Sequence, residues 1–362
     1  MRRLVLSTAL LAALAGLGAL GCSGNGSQQA GGGKRVIFLT NGTSPFWDAA
    51  RAGMNDADKE FKLKEAGLRP VFETNDGTDR GQIDKLRQFG SQGDIAGIAI
   101  SVNTAGNVAI VEEMRSLQNK GIKVVTVDSD VDRGQHRDAR FAFIGTDNLV
   151  GGRELGKCLK GLLPGGGKYV TFVGITGAQN AVERVTGVAE GAGDKIKSLD
   201  NMGDTNDRTR ARENVRNALN NHPDLSALVG IWSYNAPAIV DVVREKNVRD
   251  KVKVVVFDAE PATIEETGKG MVDVMVVQNP YEMGKQSTRL LKALVTDDKK
   301  TVEEMLPDHG TKPEGDLYDT GLKVVVPDEG SPLKAEMFDK KTNFLKLSPF
   351  RDWLKKYNLT QS

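Results

Sequence analysis

Cysteine is almost missing from this chain: two in 362 residues, Cys22 and Cys158. Cys22 falls in an N-terminal segment set apart from the rest. Cys158 is then alone, which excludes an internal disulfide and makes it a small buried helix residue. Histidine is as scarce. His136, His222 and His309 lie far apart, with no Cys or carboxylate at ligand spacing, which argues against zinc. Charge of one sign is not in excess either. A net charge of +1 and no long charge block give no footing for nucleic acid. In "PGGGKY" the residue after Lys168 is Tyr169 and the leading glycine of a phosphate-binding loop is missing. "DSDVDRG" begins like a calcium loop, but Arg133 stands where that loop needs Gly and Ala139 where it needs a bidentate Glu. No nucleophile elbow or close acid pair stands out.

Long apolar runs are also rare. "LVLSTALLAALAGLGAL" follows Arg2 and Arg3 and is too short and too rich in small residues for a membrane span. The "GLGALG" inside it has the spacing of a dinucleotide fingerprint but no strand before it, so it is discarded. The run ends at "ALGC". Basic residues, an apolar stretch and small residues leading to Cys22 resemble the bacterial lipoprotein signal, with Ala19 where Leu is usual. The resemblance implies cleavage after residue 21, a lipid on Cys22, and a protein held at a membrane in the periplasm or at the cell surface. Ordinary secretory cleavage nearby is the alternative. Residues 22–33, rich in Gly and Ser, read as a flexible tether. Cleavage would remove Arg2 and Arg3 and bring the charge to −1.

What the sequence does contain is alternation. "RVIFLT", "RPVFETN", "IAGIAIS" and "IKVVTVD" are short β-rich runs separated by stretches with helical spacing of apolar residues. After "DSDVDRGQHRDAR" the alternation restarts at "FAFIG" and continues through "KYVTFVG", "LSALVGIW" and "KVKVVVFD". Two successive series imply an α/β fold of two doubly wound, Rossmann-like parallel-sheet domains. The remainder offers "MVDVMVVQ", a helix at "YEMGKQSTRLLKALVT", a loop "PDHGTKPEGDLYDT", the strand "GLKVVVP" and a helix at "FRDWLKKYN". It is too short for a third domain, so it must return to both sheets. Chain crossings are expected near Thr146, near Gln278 and around 310–320, forming a hinge. The expected N-terminal domain is 34–146 with 279–315. The expected C-terminal domain is 147–278 with 316–362, including a C-terminal helical extension.

In open α/β sheets ligands bind beyond the C-terminal ends of the strands. The residues there include Ser44, Phe46 and Trp47; Ser101 and Asn103; Asp128 and Ser129; Asn180, Glu183 and Arg184; Asn206; Trp232; Asp258; and Gln278. Carboxylates, an arginine, amides, hydroxyls and three aromatics make a polyol site: rings lie against sugar C–H faces, and charged groups hold neighbouring hydroxyls. Plainer roles stand beside this one. Phe46 and Trp47 would pack a helix on its sheet, Asp128 would be a turn residue, Arg184 a solvated helix charge, and Asp258 a hinge or cap carboxylate.

"NGTSPFWDAARAGMNDADKE", "VDSD", "IGTDNLVGGRELG", "NAVERVTG", "NHPDLSALVG", "VVVFDAEP" and "VVQNPYEMG" follow one another in the order and spacing of the ribose-type sugar-binding proteins. These are type I periplasmic binding proteins of ABC importers, and the resemblance spans roughly 34–326. It implies that Phe46 and Trp47 are the tandem stacking aromatics. It makes Asp128, Arg184, Asp258 and Gln278 ligand-binding residues. Ser44 and Ser101 stand where the family has amides, Ser129 where it has Arg, Asn206 where it has an aromatic, and Trp232 where it has Asn, so Trp232 is expected to supply the opposing aromatic face. The implied function is capture of a monosaccharide and delivery to an ABC permease by hinge closure, as a monomer with no cofactor, no metal and no catalysis. An exported receptor serving a chemotaxis or signalling partner and a secreted α/β sugar enzyme are the alternatives.

Overall fold

The runs "IAGIAIS", "LSALVGIW" and "KVKVVVFD" become strands that are buried on both faces, as interior parallel strands must be. The computed structural model describes residues 33–362; the expected signal peptide, lipidated Cys22 and all but the last residue of the expected tether lie outside the described residues. The first series runs β1 (Lys34–Leu39), α1 (Phe46–Glu60), β2 (Leu68–Glu73), α2 (Asp79–Gly90), β3 (Ile95–Ile100), α3 (Val108–Asn119), β4 (Lys123–Val127) and β5 (Phe143–Gly145). The second runs α4 (Asn148–Leu162), β6 (Gly167–Val173), α5 (Gln179–Ala192), β7 (Ile196–Gly203), α6 (Arg208–Asn221), β8 (Ala227–Gly230), α7 (Asn235–Glu245), β9 (Lys253–Phe257), α8 (Pro261–Gly268) and β10 (Val274–Val277). The chain then forms α9 (Pro280–Val295), α10 (Lys299–Met305), β11 (Leu317–Asp319), β12 (Lys323–Val326), β13 (Asn343–Lys346) and α11 (Leu347–Lys356).

Side-chain caps set several helix starts. Asn107 accepts from the amides of Ala109 and Ile110, and Asp147 accepts from that of Val150. Pro280 opens α9, where its missing N–H costs nothing.

The strands assemble into two sheets. The first has the order β11-β5-β4-β3-β1-β2, the second β13-β12-β10-β9-β8-β6-β7. Neighbours are parallel except β10 and β12. Each sheet carries apolar cores on both faces. The chain passes between sheets after β5, after β10 and after β11. The last passage lies at the end of the expected 310–320 window, past the expected domain boundary at 315/316. Residues 316–319, expected in the C-terminal domain, belong with the first sheet, because Leu317, Tyr318 and Asp319 pair with Phe143, Ile144 and Gly145. The C-terminal extension is more than a helix: β13 adds a strand beside β12, and α11 buries Leu347, Phe350 and Leu354 in the second lobe's core.

One close approach matters for the site. Helices α4 and α5 touch through glycines, and a Cβ on Gly152 would lie 2.2 Å from the carbonyl oxygen of Arg184. Only glycine lets the α5 backbone, and Arg184 with it, sit so near α4.

Candidate functional site

Within each sheet the strand order reverses at one place, between β1 and β3 and between β6 and β8. The loops leaving these strands face one another across an interlobe cleft. The lobes meet around it. The Ser44 and Ser233 hydroxyls are 3.2 Å apart, Ala105 N–H donates to the Gly177 carbonyl at 3.3 Å, and Arg133 pairs with Glu183 at 3.6 Å.

One wall is aromatic because α1 starts directly after the β1 loop. Ser44 Oγ accepts from the Phe46 amide, and Phe46 and Trp47 form the first helical turn with rings edge-to-face at 4.9 Å. Both line the cleft, and both are buried in the first lobe's core, where Trp47 meets Phe38 at 5.8 Å. Packing and cleft lining are therefore not alternatives for these rings. Trp232 and Tyr234, 6.5 Å apart, line the facing wall after β8. Tyr234 Oη donates to Asp204, and Asn235 Nδ2 donates to the same carboxylate at 2.9 Å. Burial pushes Asp204 up to about 6, against those bonds.

Between the walls lies a charged centre. Asp128 follows β4 and Asp258 follows β9, the fourth strand of each sheet, and both adopt left-handed backbone, with φ of 61° and 66°. Such conformations are costly for a non-glycine residue and cluster at functional sites. Arg184, 1% exposed, comes between them from α5. Its Nε donates to Asn148 Oδ1 at 2.9 Å, its Nη1 donates to the Ile231 carbonyl at 3.0 Å, and its plane covers the Phe257 ring at 3.9 Å. Its Nη2 lies 3.8 Å from Asp128 Oδ1. Arg184 is thus no solvated helix charge.

Burial dominates the titration here. It pushes Asp258 up to about 7, with Arg184 and Gln278 pulling down and Asp128 adding to the rise. It also raises Asp128, against Arg184 and Ser101, and lowers Arg184 against both carboxylates. Hydrogen bonds tie the centre to the walls. Trp232 Nε1 donates to Asn180 Oδ1 at 3.2 Å, and Asn180 Nδ2 donates to Asp128 Oδ2 at 3.3 Å. Gln278 Nε2 donates to Asp258 Oδ1 at 3.1 Å. Among the described residues fifteen buried side-chain polar atoms have no hydrogen-bond partner, and two of them belong to residues that line the cleft, Arg184 Nη2 and Gln278 Oε1.

Residues 35–300 match the family model of the periplasmic binding protein domain. The chain belongs to that family. Among curated periplasmic binding proteins it is similar to the ribose import binding protein of Bacillus subtilis, 24% identical over 71% of this chain and 78% of that one. It is also similar to the D-allose-binding periplasmic protein of Escherichia coli, 23% identical over 71% of this chain and 82% of that one. Among solved structures it resembles an ABC transporter solute-binding protein of Burkholderia graminis in complex with D-arabinose. That likeness has a TM-score of 0.70 and 26% identity, and covers 82% of this chain and 96% of that one. These relatives are solute-binding proteins, not enzymes. Among the described residues no cluster of His, Cys, Asp or Glu could hold a metal ion, and no helix is long and apolar enough to cross a membrane.

The cleft of this periplasmic binding protein gathers ten of the expected positions: Ser44, Phe46, Trp47, Asp128, Asn180, Arg184, Asn206, Trp232, Asp258 and Gln278. Four expected positions do not line it: Asn103, whose Nδ2 donates to the Gly77 carbonyl at 2.9 Å, Glu183, which pairs with Arg133, Ser101 and Ser129. Ser101 lies behind the surface and donates to Asp128 Oδ2 at 3.1 Å. Ser129 is fully buried, because the positive φ of Asp128 turns the chain back and Ser129 N–H bonds the Val127 carbonyl at 2.6 Å. The cleft adds Asn41, Gly42, Thr43, Ser233 and Tyr234. All five are close chain neighbours of expected positions, so reading four residues past β1 and β8 would have found them.

Proposed function

We propose that this protein captures a monosaccharide between its two lobes and delivers it to an ABC-type importer. The observation that carries the reading is the unpartnered Arg184 Nη2 and Gln278 Oε1, a buried donor and acceptor in a cleft between two aromatic pairs. Buried polar atoms normally find partners, and a polyhydroxylated ring supplies both kinds at once. The aromatic walls fit its C–H faces. Phe46, Trp47, Trp232 and Tyr234 form those faces, and Asp128, Arg184, Asp258, Asn180, Asn206 and Gln278 take the hydroxyls. Relatives named for ribose and allose, and a neighbour in complex with D-arabinose, support an aldopentose or aldohexose.

Asp128 lies in one lobe and Arg184, Trp232 and Asp258 in the other, so a sugar touching both favours the closed arrangement. The three chain passages would act as the hinge. The closed lobes present one face that a permease can distinguish from the open form. The protein works as a monomer, exported and held at the membrane by a lipid on Cys22, as "ALGC" suggests.

Thermal denaturation with a panel of aldopentoses and aldohexoses tests the binding claim. A sugar at 100 times its Kd stabilises by about 2.7 kcal/mol. No shift with any monosaccharide in the panel would refute it.

A further inference from the structure

Residues beyond the family-matched 35–300 reach the cleft loops. After α11, Leu359 packs on the second lobe's core, and Gln361 and Ser362 turn inward, 3% and 2% exposed. Ser362 pairs with Ala259 as a short strand would. Ala259 N–H donates to the Ser362 carbonyl at 2.7 Å, and Ser362 N–H donates to the Ala259 carbonyl at 3.2 Å. Ser362 Oγ donates to the Gln278 carbonyl at 2.6 Å. Ala259 follows Asp258, and Gln278 lines the cleft. Gln361 crosses to the other lobe, where its Nε2 donates to the Pro45 carbonyl and lies 3.5 Å from Asp48 Oδ2. Pro45 separates Ser44 from Phe46. One dipeptide thus joins three loops that build the cleft, from both lobes.

We propose that Gln361 and Ser362 are positioning residues that clasp the cleft. Ser362 holds Asp258 and Gln278 in place, and Gln361 ties the Phe46 loop to the second lobe in the closed arrangement. The need for such support is local. Asp258 sits in left-handed backbone, a conformation that surrounding bonds must stabilise. The Gln361 contacts span the lobes, so they favour the closed population over any state in which the lobes part. The clasp rests on the cleft being the ligand site, but its bonds can be read without a ligand.

Amide hydrogen exchange on the full chain, without sugar, tests it. Deleting residues 361–362 removes every bond of the clasp, and the Ala259 amide should exchange about tenfold faster or more. Gln361→Glu keeps the shape but sets a carboxylate against the Pro45 carbonyl and Asp48. It should speed exchange of the Trp47 and Asp48 amides, which belong to the other lobe. Gln361→Lys restores a donor beside Asp48 and should return them to the wild-type rate. Strand β3 should be unchanged throughout. Wild-type rates at Ala259 in the deletion, wild-type rates at Trp47 and Asp48 in Gln361→Glu, or uniform acceleration across the protein would each overturn the clasp. A protein that binds no monosaccharide would instead refute the functional reading, whatever these rates are.

Discussion

Replacing Arg184 with Met should destabilise the protein much more at pH 8 than at pH 5. Met keeps most of the side-chain volume over Phe257 but removes the charge and two hydrogen bonds, to Asn148 Oδ1 and the Ile231 carbonyl. Asp128 lies 3.8 Å from the guanidinium, and Asp258 also interacts with it electrostatically. At an effective dielectric constant of about 20, a charge pair near 4 Å gains roughly 4 kcal/mol before desolvation is counted. Removing one partner of such a buried pair costs about 3–5 kcal/mol, because the other charge stays behind. That full cost applies where the carboxylates are ionised. Asp258 is already pushed up to about 7 by burial, and losing Arg184 raises it further. At pH 5 the mutant avoids the buried charge by holding a proton, which limits the loss to roughly 1–3 kcal/mol. Urea unfolding of both proteins at pH 5 and pH 8 gives the two differences. Equal losses, or a larger one at pH 5, would refute the electrostatic account of the centre.

Asp258→Asn should flatten part of the pH dependence of the wild type. The folded state keeps a proton on Asp258 that the unfolded chain has lost above about pH 4, so this stability is complete below about pH 4 and gone once the pH passes about 7. Denaturant midpoints across that window should fall with pH in the wild type and fall less in the mutant. Gly152→Ala places a Cβ 2.2 Å from the Arg184 carbonyl, so α4 and α5 must separate; calorimetry should show a loss of about 1–3 kcal/mol, with weaker binding of any sugar found in the panel. Truncating Trp47 to Ala should cost about 3–5 kcal/mol of stability together with affinity, since the ring serves both the core and the cleft. Cys22→Ala should release the protein from membranes in a fractionation experiment, with sugar binding intact.

The fold was legible where burial is continuous. "IAGIAI" and "VVVF" are apolar at nearly every position because both faces of those strands are covered. It was illegible where elements are short and half polar. Only three residues of β11 pair, within a run of Gly, Pro, Asp and Lys, and β13, "NFLK", has too few apolar positions to show a period. Helix α10, "KKTVEEM", buries only Met305. Most of the candidate site could be read because strand ends converge in this topology, so position after a strand predicts position in the cleft. Direction could not be read. Ser129 points away because of a backbone angle at Asp128 that no sequence period encodes, and Ser101 sits one layer back. The clasp of Gln361 and Ser362 was invisible for a similar reason: its main bonds are to backbone carbonyls and amides, which every sequence supplies.

The most direct test of the central claim is a crystal structure of the protein grown with the sugar that stabilises it most. The expected result is one monosaccharide ring between the Phe46–Trp47 pair and the Trp232–Tyr234 pair, with Arg184 Nη2 and Gln278 Oε1 within hydrogen-bonding distance of its hydroxyls. A sugar bound outside the cleft, or inside it with both of those atoms still unpartnered, would contradict the account.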